Sequence, residues 1–343
     1  MRLLAVSAAL CALLVAGLGV TAFPQCARAA ATGPPSPIVW FLTNQDRIGR
    51  VQTDARPKIY DNPLRCAVGE DDCNLRGIAA TSGALWIPDA TNGLRRIDPT
   101  TGRPANAPNG NRYSSAPAVW NGRLWFTDID RLLSVRPPST AIATTLVFSK
   151  TYAEALATSP HALWIAGSGQ TRSAPAGVRR LDQAGHVQDI DLPISGDVAL
   201  VIGALDDHTA YVVASSTSPG ANPPSRLFRV ATTSNGTRVD DLGPLAFDPG
   251  GIVPVGDRLW LNDVNAPRLV SLGLDGHPVR QTDLTVPGDG QLLGASGRLW
   301  YVGSPDSSGS VIDIVDPTSG SVVSTIPVTL PGTDRIGAFT VAK

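Results

Sequence analysis

The sequence predicts an all-β fold, a seven-bladed β-propeller, on three observations. An apolar triplet centred on an aromatic residue recurs seven times, at steps of 46, 39, 39, 47, 49 and 40 residues. Turn-forming residues precede most triplets, as in Ser82-Gly83 and Asn121-Gly122. The chain of 343 residues contains 34 Gly and 29 Pro but a single Met, which disfavours helices. Periods of about 40–45 residues are typical of propeller blades, and the aromatic residues that mark them are Trp40, Trp86, Trp125, Trp164, Tyr211, Trp260 and Trp300.

The first 29 residues have the features of a secretory signal peptide. Met1 and Arg2 precede an uncharged, mostly apolar run from Leu3 to Val20, and Ala27-Arg28-Ala29 provides a small-x-small cleavage site. The alternative is a membrane anchor, because the run of about 18 residues reaches the lower limit for a span. No other segment is long and apolar enough to cross a bilayer. We therefore expect a secreted or periplasmic protein with one propeller domain over residues 30–343 and no membrane span after cleavage.

Each repeat has the same internal order of four short strands. An apolar run and a tight turn come first, and the aromatic strand follows. After a polar loop, a third strand ends in an acidic turn, as in Leu94 to Gly102, and a fourth strand such as 321–327 closes the repeat. Short strands with turn residues at each joint, repeated at this period, are typical of a propeller blade. An aromatic residue at one place in every blade indicates packing between blades rather than ligand stacking.

Two cysteines remain after removal of the signal peptide. Cys66 and Cys73 flank an acidic segment, Ala67 to Asp72. In an exported protein such a pair favours a disulfide, and no His or further Cys lies nearby to complete a zinc site. A redox pair is the alternative, although the Cys-x-x-Cys motif is missing. We expect a Cys66–Cys73 disulfide that closes a small acidic loop.

The two ends of the predicted domain indicate how the ring closes. The first aromatic strand, Ile38 to Leu42, follows Pro34 to Pro37 and has no inner strand before it, whereas Ile336 to Val341 resembles an inner strand with no aromatic strand after it. We expect the C-terminal strand to complete the N-terminal blade, which removes the free edge of an open ring.

The charge balance excludes one class of partner. Lys and Arg number 28 against 29 Asp and Glu, for a formal net charge of −1. A non-specific nucleic-acid binder needs a basic face, so we expect no nucleic-acid partner. The hydrophobic fraction of 43% is sufficient for a core and too high for a disordered chain.

We also expect the protein to be a monomer.

The repeated sequence motifs resemble those of a known protein family. Gly77-Ile78-Ala79, then Leu124 to Asp128, then an Asp-x-x-x-Gly turn such as Asp98 to Gly102, resemble the virginiamycin B lyase (streptogramin lyase) propellers. The last repeat, 319–328, is similar to the wider YVTN and NHL-type propellers. The resemblance extends over almost all of residues 30–343. It implies a seven-bladed ring and the opening of a cyclic depsipeptide lactone by elimination, with His and Glu near a magnesium ion at the mouth.

The four histidines depart from that family pattern. His161 and His208 lie in turns before the aromatic-type strands, and His186 and His277 lie at the tips of acidic turns. Both kinds of turn are expected on the face opposite the connections between blades. No histidine is therefore expected at the mouth, and no catalytic residue of the family is transferred to this chain.

Polar residues just ahead of the inner strands are predicted to surround one end of the central channel, the mouth. The candidate ligand-binding residues are Arg76, Tyr113, Tyr152, Asp197, Asp248 and Arg335. Carboxylates from several blades are suitable ligands for Ca²⁺ or Mg²⁺, and the candidates are Glu154, Asp248, Asp289 and Asp334. Crowded acids also raise one another's pKa, which makes Glu154 and Asp289 candidate catalytic bases. The alternative is that these acids are turn-forming and solubilising, with no shared ligand.

Two functions fit these features. The first is a secreted propeller that binds a small molecule, a peptide or an envelope partner at the mouth. The second is a metal-dependent lyase or lactonase acting on a cyclic ester, in which the cation polarises a carbonyl or a bound water. Long loops at 167–177 and 215–225 either wall a pocket on the mouth face or are insertions without a role.

Overall fold

All regular structure in the described residues is β-strand. The computed structural model describes residues 37–45, 47–52, 56–60, 77–89, 93–105, 115–149, 151–171, 173–195, 198–216, 224–286, 290–304, 309–332 and 334–342. The chain divides into two units, 1–35 and 36–343, and only the second contains described residues. These residues include no helix, and so none with the length and apolarity needed to cross a bilayer. The predicted signal peptide, both cysteines of the predicted disulfide and four candidate site residues lie outside the described residues: Cys66, Cys73, Arg76, Tyr113, Asp197 and Asp289.

In the described ranges, twenty-eight strands form seven antiparallel sheets of four strands, one for each predicted blade. Their bounds, blade by blade along the chain, are β1 (Ile38–Thr43), β2 (Ile48–Gln52) and β3 (Lys58–Tyr60); β4 (Ala79–Thr81), β5 (Ala84–Asp89), β6 (Gly93–Ile97) and β7 (Pro104–Ala105); β8 (Ala118–Trp120), β9 (Arg123–Asp128), β10 (Arg131–Val135) and β11 (Ile142–Val147); β12 (Thr151–Thr158), β13 (Ala162–Gly169), β14 (Pro175–Asp182) and β15 (Val187–Ser195); β16 (Val198–Ala204), β17 (Thr209–Ser216), β18 (Arg226–Thr233) and β19 (Gly236–Pro244); β20 (Pro249–Val255), β21 (Arg258–Asp263), β22 (Arg268–Gly273) and β23 (Pro278–Asp283); β24 (Leu292–Ala295), β25 (Arg298–Gly303), β26 (Ser310–Val315) and β27 (Val322–Val328); and finally β28 (Ile336–Ala342).

The C-terminal strand completes the first blade, as predicted. β28 pairs antiparallel with β1, from Ile38 opposite Ala342 to Leu42 opposite Ala338. Two further bonds hold the start of β28 beside the end of β1: the Asn44 N–H donates to the Arg335 carbonyl at 3.0 Å, and the Arg335 N–H donates to Asn44 Oδ1 at 2.8 Å. The first blade therefore has the strand order β28-β1-β2-β3.

The repeated aromatic residues form the core between blades. All seven lie in the second strand of a blade, and Trp86, Trp164, Trp260, Trp300 and Tyr211 are fully buried. Some also bond to the next blade. Trp164 Nε1 donates to the Asp206 carbonyl at 3.2 Å, and Tyr211 Oη donates to the Leu274 carbonyl at 3.0 Å. The predicted role of these residues in packing between blades is confirmed, with Tyr211 at the position that Trp occupies in the other six.

Antiparallel pairing gives the ring two distinct faces. The starts of the inner strands and the ends of the second strands share one face, the mouth. The turns from first to second strand and from third to fourth strand share the other, here called the hairpin face. His161 and His208 lie in turns of the first kind, and His186 and His277 in turns of the second kind. All four histidines are therefore on the hairpin face, as predicted.

Candidate functional site

The structure moves two predicted mouth residues into a strand. Tyr152 and Glu154 were expected just ahead of the inner strand of blade 4, but β12 begins at Thr151 and contains both. The strand extends further toward the mouth because its partner β13 continues through Gly167, Ser168 and Gly169, which pair with residues 151–153. The predicted position of these two residues ahead of the strand was therefore wrong, although they do lie at its mouth end.

Glu154 occupies a β-bulge. Ala153 pairs with Gly167 and Ala155 pairs with Ala166, so that Glu154 is the extra residue on β12. Bulges redirect a side chain out of the regular alternation of a strand. The inner strands β20 and β28 have the same irregularity at Gly250 and Gly337. Gly250 and Gly337 have no side chain, so among these three bulges only the one at Glu154 directs a side chain.

Gly167 permits the bulge to form. A Cβ atom at this position would overlap the carbonyl oxygen of Tyr152, so no other residue allows β12 and β13 to approach so closely. The direction of the Glu154 side chain on β12 therefore depends on a glycine at position 167 of the neighbouring strand β13.

The Glu154 carboxylate is partly buried between blades 4 and 5. Ser168 Oγ donates a hydrogen bond to its Oε1, and the backbone of Leu200 in β16 bonds to it from the next blade. Burial raises the pKa of Glu154 above its ordinary value, against the opposing effect of the hydrogen bonds from Ser168 and Leu200. In the described part of the chain Glu154 forms no ion pair with a basic residue.

Two exposed apolar side chains lie on the adjoining part of the mouth. Tyr152 is 41% exposed and Ile129 is 46% exposed, and the Ala153 N–H donates to the Ile129 carbonyl at 2.9 Å. Ile129 has a φ of +46°, which is rare and strained for a β-branched residue. Ile129 was not among the residues predicted at the mouth. The available signal was a β-branched residue in the two-residue turn Ile129-Asp130, where Asn or Gly is usual.

The other described acids of the mouth are bound to local partners. Asp334 is 2% exposed, accepts a hydrogen bond from Thr43 Oγ1 at 3.4 Å and faces Arg47 at 3.5 Å. Asp248 accepts hydrogen bonds from Ser225 Oγ at 3.2 Å and Asn265 Nδ2 at 3.1 Å. These bonds fix loop ends within blade 1 and between blades 5 and 6.

The predicted cation site has no support from the described residues. Within the ranges given above, no group of three or more His, Cys, Asp or Glu side chains is arranged to hold a metal ion. Of the four predicted ligands, Glu154, Asp248 and Asp334 are described and do not form such a group, and Asp289 lies outside. The described acids therefore do not form the predicted shared site.

Arg335 lies at a small pocket of the mouth. A cavity of about 150 Å³ between blades 7 and 1 is lined by Asn44, Gln291, Ser304 and Arg335, among others. Gln291 Oε1 accepts a hydrogen bond from the Phe339 N–H at 3.1 Å. This pocket places polar groups beside the closing strand, on the opposite side of the ring from Glu154.

A larger cavity of about 680 Å³ occupies the hairpin-face half of the channel. All seven inner strands contribute to its wall, and most of the lining residues are Ala, Val, Leu, Ile, Gly or Pro. Val119 exposes 43% of its surface. Arg298 is the one charged lining residue, and its Nη1 donates to Asp316. The two halves of the channel therefore differ in chemistry.

Comparison with known proteins supports the fold. Neither a known protein family nor a curated protein matches the chain in sequence. Solved structures do match. A quinonprotein alcohol dehydrogenase-like protein from Bacteroides thetaiotaomicron is 13% identical over 88% of this chain and 77% of that one, with a TM-score of 0.54. A chain of a nidogen/laminin complex is 12% identical over 90% and 98%, with a TM-score of 0.51.

The predicted resemblance is found among these matches. A streptogramin B lyase is 15% identical over 78% of this chain and 91% of that one, with a TM-score of 0.50. The shared feature is the propeller fold. At such identities the likeness extends to the architecture alone, because one fold supports many unrelated activities.

Proposed function

We propose that this protein is an exported binding propeller that recognises a small molecule or a peptide at the mouth, beside Glu154. One observation supports this most: a bulge in β12 presents a partly buried carboxylate at the mouth, and two exposed apolar side chains, Tyr152 on the same strand end and Ile129 on the preceding blade, lie on the same face. Backbone strain and exposed apolar surface both cost free energy, and both cluster at functional sites.

The chemistry of the three side chains defines the ligand. A carboxylate that has no basic partner in the described residues favours a cationic or hydrogen-bond-donating group, such as an amine. The exposed surfaces of Tyr152 and Ile129 favour an apolar group beside it, because their removal from water contributes about 25 cal/mol per Å². The expected ligand is an amine with an adjacent apolar group, either a small molecule or the amino terminus of a peptide.

A matched pair of probes tests this proposal. Titration of 2-phenylethylamine, followed by ligand-observed NMR, is expected to show binding that weakens about tenfold or more in Glu154→Gln and for the N-acetylated probe. Asp257→Asn, at a side chain 91% exposed on the hairpin face, serves as the control and is expected to bind normally. Binding that is equal in Glu154→Gln and the wild type, or no binding at all, contradicts the proposal.

Export is part of the proposal and rests on residues 1–29. Mass spectrometry of protein recovered outside the cytoplasm is expected to give the mass of residues 30–343, two mass units lower than the reduced form if Cys66 and Cys73 are joined. A retained leader contradicts cleavage, and an unchanged mass after reduction contradicts the disulfide.

A metal-dependent lyase or lactonase is the second candidate. The raised pKa of Glu154 favours it, since a catalytic base near neutrality needs such a shift. The described carboxylates do not form the cation site that it requires. Addition of Ca²⁺ or Mg²⁺ followed by a chelator tests it: a rise in Tm that the chelator reverses and that Glu154→Ala and Asp289→Ala abolish supports this function, and an unchanged Tm contradicts it.

A further inference from the structure

The hairpin-face half of the channel contains a cavity that is separate from the mouth. We propose that it binds a short, extended, uncharged peptide segment, which pairs as an added strand with the free edge of an inner strand. The wall of the cavity supplies two complementary features, unpaired backbone edges and apolar side chains.

The inner strands supply the backbone edges. In each of the seven sheets the inner strand stands at one end of the strand order and pairs with a single neighbour. One edge of every inner strand therefore presents N–H and C=O groups without a strand partner in the described sheets, and these edges surround the cavity. Free strand edges bind extended peptides through main-chain hydrogen bonds.

The side chains supply the apolar surface. Val119, Leu156, Val253 and Leu293 line the cavity, and the last three are partly exposed residues packed on the cores between blades. A cavity of about 680 Å³ is within the range of ligand sites, which are mostly apolar with a few polar groups that fix orientation. Because four-stranded sheets surround it, the cavity cannot collapse to remove this surface from water.

The combination selects a peptide over a simple apolar molecule. An alkyl chain in this cavity would displace water from the strand edges and leave their amides without partners. A peptide replaces those hydrogen bonds with its own amides. The segment is uncharged because the lining residues include no acid, and Arg298 is already paired with Asp316.

Proline limits which edges accept the segment. Pro117 and Pro254 lie in the lining of blades 3 and 6, where each removes a backbone donor. The lining segments of β12, β16 and β24, at 156–158, 202–204 and 292–295, contain no proline. Blades 1 and 2 contribute only two residues each to the lining, Thr340-Val341 and Ala79-Ala80, so the longer proline-free edges of blades 4, 5 and 7 are the expected partners of the added strand. These edges contain three or four residues, so at about 3.3 Å per residue a segment of four residues is long enough to pair along each of them.

The test uses acetyl-Val-Ala-Val-Ala-amide and the same peptide N-methylated at all four residues, titrated calorimetrically into the intact protein. N-methylation keeps the apolar side chains and removes the donors. We expect the unmethylated peptide to bind the wild-type protein. The affinity of the N-methylated peptide is expected to be lower by about tenfold or more. Val119→Asp places a charge in the cavity and is expected to weaken binding similarly, whereas Val279→Asp, at a side chain 54% exposed on the outer strand β23, is not.

Each alternative outcome overturns the proposal. Equal binding of the two peptides identifies an apolar cavity that does not pair with strands. Equal loss in both Asp variants places the peptide elsewhere, and no binding to the wild type removes the site. The comparison of peptides needs only the wild-type protein, so the test stands even if Val119→Asp does not fold.

Discussion

At the scale of single residues, the environment of Glu154 determines how stability depends on pH. A carboxyl whose folded-state pKa lies above its unfolded value binds more protons in the native state, so the free energy of unfolding falls as pH rises. The contribution is fully present below the unfolded pKa of about 4.3, and is lost as pH rises through the raised folded pKa of Glu154.

The variant Glu154→Gln removes this dependence and keeps an oxygen that accepts from Ser168. We expect the Tm of the wild type relative to Glu154→Gln to fall as the pH rises above the unfolded pKa and through the raised folded pKa of Glu154, as measured by differential scanning calorimetry. Asp257→Asn, at the exposed turn carboxyl, is the control and should follow the wild type. A difference that is constant with pH, or that has the opposite slope, contradicts the burial of this carboxyl.

The turn at Ile129 stores strain that a better-suited residue would release. Asn adopts positive φ values readily, so we expect Ile129→Asn to raise the free energy of unfolding in denaturant by about 1 kcal/mol. The same change is expected to weaken ligand binding at the mouth. Val279→Asn in the extended strand β23 is the control and should give no gain. Destabilisation by Ile129→Asn would show that the Ile129 side chain contributes packing that outweighs the strain.

Sequence patterns located part of the mouth and missed part of it. Glu154 and Tyr152 were predicted as mouth residues from their position before an apolar run, and Asp334 and Asp248 from the same rule. Ile129 was missed because its importance depends on a backbone angle and on its contact with Ala153, which is distant in sequence. The bonds of Asp334 to Thr43 and Arg47 join the two ends of the chain and have no local signature.

At the scale of elements, the bulge in β12 depends on the absence of a side chain at Gly167. We expect Gly167→Ala to lower the free energy of unfolding by about 1–3 kcal/mol, because the new Cβ overlaps the Tyr152 carbonyl and forces β12 away from β13. Binding at the mouth should weaken in the same variant, since the bulge directs Glu154. Urea denaturation and the amine titration measure the two effects.

A nearby glycine provides the control. At Gly177 in β14, an added Cβ would lie 3.4 Å from the Ile190 carbonyl oxygen, an ordinary contact, so Gly177→Ala should change the stability by much less. Equal losses in the two variants would indicate that glycine is needed for flexibility in general and not for the close approach of β12.

Strand identity was more predictable than strand irregularity. The aromatic strands were placed correctly because their apolar residues form nearly continuous buried runs, as in β5 and β13, and recur at a period that packing between blades imposes. The closing strand was placed correctly because it is an apolar run with no aromatic strand after it. The bulges at Glu154, Gly250 and Gly337 were not foreseen, since a bulge depends on how two strands pair and not on the residue type of either.

At the scale of the whole molecule, the channel has two chemically different ends. The mouth presents Glu154, Tyr152 and Arg335, whereas the hairpin-face half is lined almost entirely by apolar and small residues. Sequence analysis predicted the mouth, because charged residues stand out ahead of the inner strands. The apolar cavity was not predicted, since its lining residues have the same composition as the core and only closure of the ring leaves them facing a void.

Closure of the ring by β28 positions both sites, and hydrogen exchange followed by mass spectrometry tests it most directly. Residues 336–342 pair with β1, so their amides are expected to exchange as slowly as those of β1 and to lose protection together with it as denaturant is added. Rapid exchange of 336–342 while the β1 amides remain protected would contradict a closed seven-bladed ring.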